Sequence, residues 1–409
     1  MNLYLRLAWR NIWRHRRRTV IIMLAMGLSL GMMMFYDGLM DGFNNAIAGN
    51  AVRVLGGNVQ VHAAGYREKV DSNPLLPLAD DAGIVKAALA QPNVIAAARR
   101  IQTGGLISSR EGAFPMMIIG IEPEAEAPVS LIAEHVVEGR YVEPTDEDSI
   151  LIGKGLAEAL ALKVGDRLAM VGSDLHKQNR QRTMTVIGIY DIGIPSMEKA
   201  TSYISLAEAQ NLFGLRDQST EVQITLKQVG TESALVAALS PQLPSYEVES
   251  WAQNYPELSN AVGRKNIVMD IFSVIIVMIA GIGILNLLMM AIYERTREIG
   301  LLGAMGLKPR QIATTFILEG ALIGFVGVLV GIAIGLVTNL SLMRVGMDYS
   351  QFAGVTDYMA LISGKVYPTL GISKLPMRGI IIFVIAALAA LIPAMIASRR
   401  EPSEALHHV

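Results

Sequence analysis

The side chains that usually carry chemistry are sparse in this 409-residue chain. It has no cysteine, which excludes disulfides, thiolate nucleophiles and zinc sites built on cysteine. The six histidines are scattered, and the sequence has no His-Glu-x-x-His pattern on which metallohydrolase chemistry could rest. A nucleotide-binding Gly-x4-Gly-Lys-Ser/Thr loop is also absent, because the fragments at Gly153 and Gly364 lack its spacing and its hydroxyl. The sequence therefore predicts a chain that is not an enzyme and that needs no cofactor and no metal.

The most informative stretch is a charged segment, punctuated by glycines, between two long apolar segments. It begins with mixed acidic and basic residues, continues with an apolar middle and reaches a glycine stop at Gly306. This pattern is typical of a short amphipathic helix that lies under a bilayer and leaves one face free for a partner. On composition alone, a solvated loop without specific contacts fits equally well. The candidate contact residues are Glu294, Arg295, Arg297, Glu298, Gly300, Gly303, Gly306, Arg310 and Gln311.

The composition indicates a membrane protein with a large water-facing part, since 52% of the residues are hydrophobic and 17% are charged. Four segments are apolar over roughly the ~20 residues that a helix needs to cross the hydrocarbon core. Lys and Arg cluster on one side of these segments if all four cross, which predicts a multi-pass protein of the cytoplasmic membrane with both termini in the cytoplasm. The expected parts are a cytoplasmic amphipathic helix (1–18), transmembrane helices (19–37, 267–293, 314–343, 379–397), external parts (38–266, 344–378), a cytoplasmic helix (294–313) and a cytoplasmic tail (398–409).

The first apolar segment fits either a membrane anchor or a cleavable signal peptide. Its length favours the anchor, and the Ala-x-Ala at 46–48 is too remote from it for a typical cleavage site. Before it, Leu5, Trp9, Ile12 and Trp13 can share one helical face while arginines line another. That pattern predicts an interfacial helix on an anionic leaflet, and a disordered basic leader is the alternative.

The long external segment has a mixed α/β pattern. Two strand-helix-strand units flank a middle stretch, about 121–213, that is rich in short strands. The predicted fold class is an α-helical membrane protein with four transmembrane helices plus a large external α/β domain with an inserted β-rich subdomain. The first unit is Val59–His62, Asp81–Ala90 and Val94–Arg99, the second is Glu221–Leu226, Thr231–Leu239 and Tyr246–Ser250, and the middle contains a strand pair, Arg167–Val171 and Thr183–Tyr190.

The third span carries glycines at a spacing of three or four, so one helix face is nearly free of side chains. Such a face lets another helix approach closely, at a subunit interface, against the second span, or in other packing within the chain. Val328 and Leu329 are predicted to face lipid. Glu319 lies beside the glycines, and an intramembrane carboxylate is a functional candidate that could pair with a cytoplasmic arginine or reach the interface. The glycines are Gly320, Gly324, Gly327, Gly331 and Gly335.

The order of these elements resembles the FtsX/MacB-type permeases of ATP-binding-cassette (ABC) systems, the mechanotransmission class. The resemblance rests on Glu-Arg-Thr-Arg-Glu-Ile-Gly at 294–300, Ala-Met-Gly at 304–306 and Arg-Gln-Ile at 310–312, and it covers essentially the whole chain. It implies two permease chains, copies or paralogues, bound to a cytoplasmic ABC ATPase dimer whose closure is transmitted to the external domains. The charged segment would then be a coupling helix seated in a groove of the ATPase.

Within this class, the stretch Gly57–Tyr66 is similar to the lipoprotein-releasing permeases. This similarity implies a permease that acts on lipoproteins or other lipidated material, with membrane lipid and a lipoprotein substrate as partners and no nucleic acid. Efflux or antimicrobial-peptide resistance is the alternative within the class, and signalling to a cell-wall hydrolase without transport is the alternative outside it. In lipoprotein-releasing systems one permease captures a periplasmic carrier with an extended hairpin. Here residues 172–182 are short and polar, which makes carrier capture by this chain doubtful.

Overall fold

The computed structural model describes residues 2–14, 16–72, 74–293, 301, 304–349 and 365–398. The chain divides into two compact units. The helical unit comprises Met1–Asn44, Val262–Met347 and Val366–Val409, and the sheet unit comprises Asn45–Ala261 and Asp348–Lys365.

Helices and strands follow one another along the described residues as mixed α and β elements. In chain order they are α1 (Asn2–Arg14), α2 (Arg16–Leu55), β1 (Val59–Ala63), a 3₁₀ helix (Arg67–Ser72), α3 (Asp81–Leu89), β2 (Val94–Ser108), β3 (Ala113–Ile121), α4 (Pro123–Glu126), α5 (Leu131–Glu134), β4 (Val136–Gly139), β5 (Ser149–Gly153), α6 (Lys154–Ala159), β6 (Arg167–Ser173), β7 (Asn179–Tyr190), α7 (Pro195–Ala200), β8 (Thr201–Ser205), α8 (Leu206–Phe213), β9 (Glu221–Leu226), α9 (Glu232–Leu239), β10 (Tyr246–Ser250), α10 (Trp251–Asn254), α11 (Pro256–Tyr293), α12 (Pro309–Val345), β11 (Met347–Asp348), β12 (Lys365–Val366) and α13 (Leu375–Ser398).

Two of these helices are long and apolar enough to cross a membrane, over Thr19–Leu55 and Pro309–Val345. They contain the first and third predicted spans. The second and fourth predicted spans lie on α11 and α13, whose apolar stretches, Ile267–Gly283 and Leu375–Leu391, are shorter. Two apolar helices of membrane-spanning length are therefore observed, and the count of four crossings stays a prediction.

The first two spans belong to longer helices than the sequence predicts. Helix α2 continues past the predicted span to Leu55, because no proline or adjacent glycine pair interrupts it before Gly56 and Gly57. Both glycines have positive φ, 107° and 92°, which ends the helix. Helix α11 begins at Pro256, well before the predicted span, and proline is favoured in the first turn of a helix.

The sheet unit is organised by ten paired strands. Nine of them follow the order β10-β1-β9-β2-β3-β8-β5-β7-β4, and β6 pairs with both β2 and β7. The pairs β3 with β8 and β5 with β7 are parallel, and the other pairs are antiparallel. The two strand-helix-strand units predicted from the sequence place their four strands side by side, in the order β10-β1-β9-β2.

The strand predictions for these units are confirmed by β1, β9 and β10, and the predicted pairing of the two middle strands is confirmed by the antiparallel register of β6 and β7. Strand β2 is longer than predicted and runs to Ser108, because its second half pairs with β3 and β6. One apolar face of the β10-β1-β9-β2 group packs against α3 and α9. Its core includes Val59, Val61, Ile84, Val222, Ile224, Leu239 and Val248.

Candidate functional site

The glycine face predicted from the sequence lies on α12 and is a close contact between helices. A Cβ atom added at Gly331 would lie 2.6 Å from Leu30 Cβ, and one added at Gly320 would lie 2.6 Å from Ala390 Cβ. Real Cβ contacts are longer than this, so only glycine permits the observed approach. All five glycines are buried: Gly320, Gly324, Gly327, Gly331 and Gly335.

The helices that fill this face are α2 and α13. Met26 and Leu30 of α2 face Gly327 and Gly331, and Ala386 of α13 faces Gly324. The contacts observed at these glycines are thus packing within the chain, against α2 and α13, and a contact with the second span stays a prediction. Val328 is also not a purely lipid-facing residue, because it packs partly against the apolar core that α13 helps to form.

A buried ion pair, which the sequence analysis missed, joins α2 to the start of α13. The guanidinium of Arg378 donates to both carboxylate oxygens of Asp37 at 3.2 Å, and each side chain is 5% exposed. Removing one partner of such a pair typically costs about 3–5 kcal/mol, because the other charge stays buried. The only sequence signal was that each charge stands at the edge of an apolar segment, which is also where solvated charges occur.

Further polar groups surround this pair. They line a cavity of about 270 Å³ beside α2, in which Lys374 forms an ion pair with Asp270. Asp41 accepts a hydrogen bond from Ser373 at 3.1 Å. Asp270 lies near the start of the second predicted span, and the structure gives it a specific partner in Lys374. The cavity is lined by Tyr36, Asp37, Met40, Asp41, Asn44, Met269, Asp270 and Lys374.

Helix α1 packs on α12 and brings a polar residue to Glu319. Asn11 donates from Nδ2 to Glu319 Oε2 at 3.4 Å, so an amide is one partner of this carboxylate. Ile12 is buried against the helical core, whereas Trp9 and Trp13 are 50% and 61% exposed. The residues predicted to share one face of α1 therefore differ in their surroundings. Ile12 packs against protein, whereas Trp9 and Trp13 are exposed and available to the membrane interface.

Most of the charged segment lies outside the described residues, and its contact roles stay predictions. This applies to Glu294, Arg295, Arg297, Glu298, Gly300 and Gly303. Gly306 has a φ of 92°, a conformation that suits glycine at a helix stop. Arg310 is exposed in the first turn of α12. The side chain of Gln311 accepts a hydrogen bond from the Lys308 backbone N–H at 2.8 Å and so caps α12.

The hairpin between β6 and β7 is shorter than the connection that the sequence predicted. The strands extend until Ser173 pairs with Asn179, which leaves a turn of residues 174–178. The Asp174 carboxylate accepts from the backbone N–H groups of His176 and Gln178 and from Arg180 Nε, each at 2.9 Å. The hydrogen bond from the Gln178 amide, followed by those from Arg180 and His176, holds the pKa of Asp174 below its usual value of 3.8.

Comparison with protein families accounts for both units. The MacB-like periplasmic core domain matches residues 19–242, which is more than half of the chain, and the FtsX-like permease C-terminal domain matches residues 271–402. The chain therefore belongs to the FtsX/MacB-like ABC transporter permeases, which are the non-catalytic membrane subunits of these transporters. It is a membrane permease with a periplasmic or extracellular α/β domain, as the sequence analysis predicted.

Individual relatives narrow the comparison. The chain is 24% identical to the lipoprotein-releasing system transmembrane protein LolC of Neisseria meningitidis serogroup B, over 93% of this chain and 92% of that protein. It is 26% identical to LolC of Xylella fastidiosa over 81% and 82% of the two chains. It is 25% identical to the transmembrane protein LolE of Haemophilus influenzae over 71% and 72%. The similarity thus extends to both types of permease named in lipoprotein-releasing systems.

Proposed function

We propose that this chain is the permease subunit of an ABC complex that releases lipoproteins from the cytoplasmic membrane. In this proposal, ATP-driven motion passes from cytoplasmic ATPases through the helical unit to the external α/β domain. The observation that carries it is the similarity to lipoprotein-releasing permeases over nearly the full length of both chains. The alternative is a permease that uses the same ATPase-driven mechanism on a different substrate.

The proposal includes a topology of four crossings with both termini in the cytoplasm. Two long apolar helices support it, as does the placement of basic residues on one side of the apolar segments. The charged segment then lies in the cytoplasm, where Glu294, Arg295, Arg297 and Glu298 would contact an ATPase dimer. Arg310 and Gln311 follow at the start of α12, so a force on the segment would reach the glycine face directly.

The glycine face has a role in this scheme. Helices α2, α12 and α13 are in close contact, so a displacement of α12 must move its neighbours or open a gap between them. Close packing of this kind transmits displacement, because the contacts cannot be compressed further. We therefore assign Gly320, Gly324, Gly327, Gly331 and Gly335 to transmission inside the chain and leave the contact with the second permease chain to other surfaces.

Carrier capture is not part of the role proposed for this chain. The turn 174–178 is fixed by the Asp174 carboxylate and presents no extended arm. A second permease of the complex would supply that function in a system that uses a periplasmic carrier.

The test begins with purification of the tagged chain in mild detergent and mass spectrometry of its partners, where an ABC ATPase is the expected result. Spheroplasts depleted of the chain should then retain a pulse-labelled lipoprotein in the inner membrane. The matched control is the same passenger protein with its lipidated cysteine replaced by serine, whose export should not change. Normal lipoprotein release after depletion would contradict the substrate, and absence of an ATPase would contradict the class of mechanism. A defect in small-molecule export or in cell-wall hydrolysis would instead favour efflux or signalling.

A further inference from the structure

Two segments connect the strands of the sheet unit to its long helices. Leu55–Asn58 leads from α2 into β1, and Ser250–Tyr255 leads from β10 towards α11. Strands β1 and β10 pair directly, with Val59 opposite Ser250. The entry and the exit of the sheet are therefore adjacent, and the Trp251 N–H donates to Asn58 O at 2.9 Å.

The connection from α2 to β1 contains a flexible joint, the two glycines Gly56 and Gly57. Gly56 and Gly57 are consecutive and both have positive φ, a backbone that glycine adopts with little steric restraint. A helix joined to a strand through two glycines can swing without moving the strand. The space around them is nevertheless full: a Cβ at Gly56 would lie 2.6 Å from Arg100 Nη1, and one at Gly57 would lie 2.8 Å from Ile224 O.

Gln60, on strand β1, bridges this glycine joint. Its side chain donates from Nε2 to Leu55 O at 3.1 Å and to Gly56 O at 3.3 Å, so it reaches back across the glycines to the end of α2. Its Oε1 accepts from Asn254 Nδ2 at 2.6 Å, so the same side chain also holds the exit segment. Gln60 is 2% exposed, and burial makes these hydrogen bonds costly to break.

Tyr255, in the segment that leads from β10 towards α11, also bridges the glycine joint. Its hydroxyl donates to Leu55 O at 3.1 Å, so the residue just before α11 holds the last carbonyl of α2. Burial, reinforced by the nearby Glu221 carboxylate, raises the pKa of Tyr255 to about 12. The hydroxyl therefore stays protonated and able to donate at every physiological pH.

The far side of the entry segment is fixed to the sheet. The Asn58 N–H donates to Ile224 O at 2.8 Å, its side-chain oxygen accepts from the Leu226 N–H at 2.8 Å, and its amide donates to Glu232 at 2.9 Å. Asn58 thus couples the segment to β9 and to the first turn of α9. Movement of Asn58 must carry the sheet with it.

We propose that Gln60 and Tyr255 form a brace that stiffens the glycine joint, so that α2 and α11 move the sheet unit as one body. They are positioning residues for the transmission step, and this inference rests on the proposed function. Without the brace, motion of α2 would be absorbed by rotation at Gly56 and Gly57. The ATPases would continue to turn over while the external domain followed them less.

The test uses the absence of native cysteines. Spin labels at Ser173→Cys in the sheet unit and Ser341→Cys in α12 report the distance between the two units in the purified complex with its ATPase, in lipid nanodiscs. In the parent, we expect the distance distribution to change between the nucleotide-free and the vanadate-trapped states. In Gln60→Met/Tyr255→Phe, the change should fall by at least half or the distribution should broaden, while ATPase activity stays within about twofold. Tyr255→Phe alone should give a smaller loss of the same kind, and it carries the test if the double variant does not assemble.

The matched control is Tyr190→Phe, which also removes a buried tyrosine hydroxyl, here one hydrogen-bonded to Thr201 Oγ1 at 2.6 Å. A merely structural role for the brace predicts that control and brace variants lose thermal stability to a similar degree and keep the full nucleotide-dependent change. That result would overturn the inference. A parent complex that hydrolyses ATP without any change in distance would overturn the proposed function itself, and the inference with it.

Discussion

The glycine face yields a prediction whose size follows from the structure. In Gly331→Ala, the new methyl group would lie 2.6 Å from Leu30 Cβ and 2.9 Å from Gly27 O. Carbon atoms in contact prefer ~3.5–4.0 Å, so α2 and α12 would have to separate by about 1 Å at this point. Leu30 Cβ and Gly27 O are attached to the backbone of α2, so no rotamer change can move them away.

Overpacking of this kind costs about 1–3 kcal/mol. The matched control is Gly283→Ala in α11, where an added Cβ meets no atom within 4 Å. Both changes gain the same ~0.8–1.0 kcal/mol of helix propensity, so this gain cancels in the comparison. The unfolding equilibrium constants of the two variants should therefore differ by about 5- to 150-fold.

The assay is equilibrium unfolding in mixed micelles of dodecyl maltoside and SDS, followed by tryptophan fluorescence. We expect the midpoint of Gly331→Ala to fall below that of Gly283→Ala, and the midpoint of Gly283→Ala to stay at or above that of the parent. Equal midpoints for the two variants would refute the reasoning that the glycine is required by close helix contact. Gly331→Leu should be more severe than Gly331→Ala and should also reduce recovery of the complex, although the leucine itself favours membrane insertion.

Three further predictions test other parts of the molecule. Ser173→Cys should react with a membrane-impermeant thiol reagent in intact spheroplasts and Thr296→Cys only after permeabilisation; labelling of the latter from outside would overturn the four-crossing topology. Reversing both charges of Arg297 and Glu298 should lower stimulated ATPase activity while membrane insertion stays normal, and full activity with the ATPase bound would show that the segment is not a coupler. The stability that Asp174 gives to the hairpin turn should be constant above its ordinary pKa of 3.8 and be lost as the pH falls through its lower folded pKa. Hydrogen-exchange protection of the turn amides, corrected for intrinsic rates, should therefore decrease below about pH 4. A decrease that begins near pH 6 would contradict this prediction.

The sequence predicts most of the local structure because local structure depends on short-range periodicity. Alternating apolar residues mark β1 and β9, and two extended segments joined by a short polar connection mark β6 and β7 as partners. The sequence places the end of α2 and the start of α11 too close to the membrane spans. Apolarity marks where lipid contact ends, whereas a helix ends where proline, glycine or a cap interrupts it.

Contacts between distant segments were not predictable from single-sequence patterns. A glycine stripe indicates that another helix approaches closely, but it does not identify that helix. In the structure, α2 and α13 contact these glycines. Asp37 and Arg378 are separated by 341 positions, and each alone resembles an ordinary interfacial charge. Only the packed fold removes both from solvent and makes them a pair.

The sequence by itself indicated a membrane protein, its apolar segments and the strand pattern of the external domain, because each is encoded in composition or in spacing along a few turns. The permease class followed from the resemblance of its motifs to a known family. The tertiary structure alone decided that Gln60, 194 positions from Asn254, joins the two connections between helices and sheet. A polar residue in a strand reads as solvent-facing in the sequence. Its burial, and therefore its value as a brace, arises only when distant segments close over it.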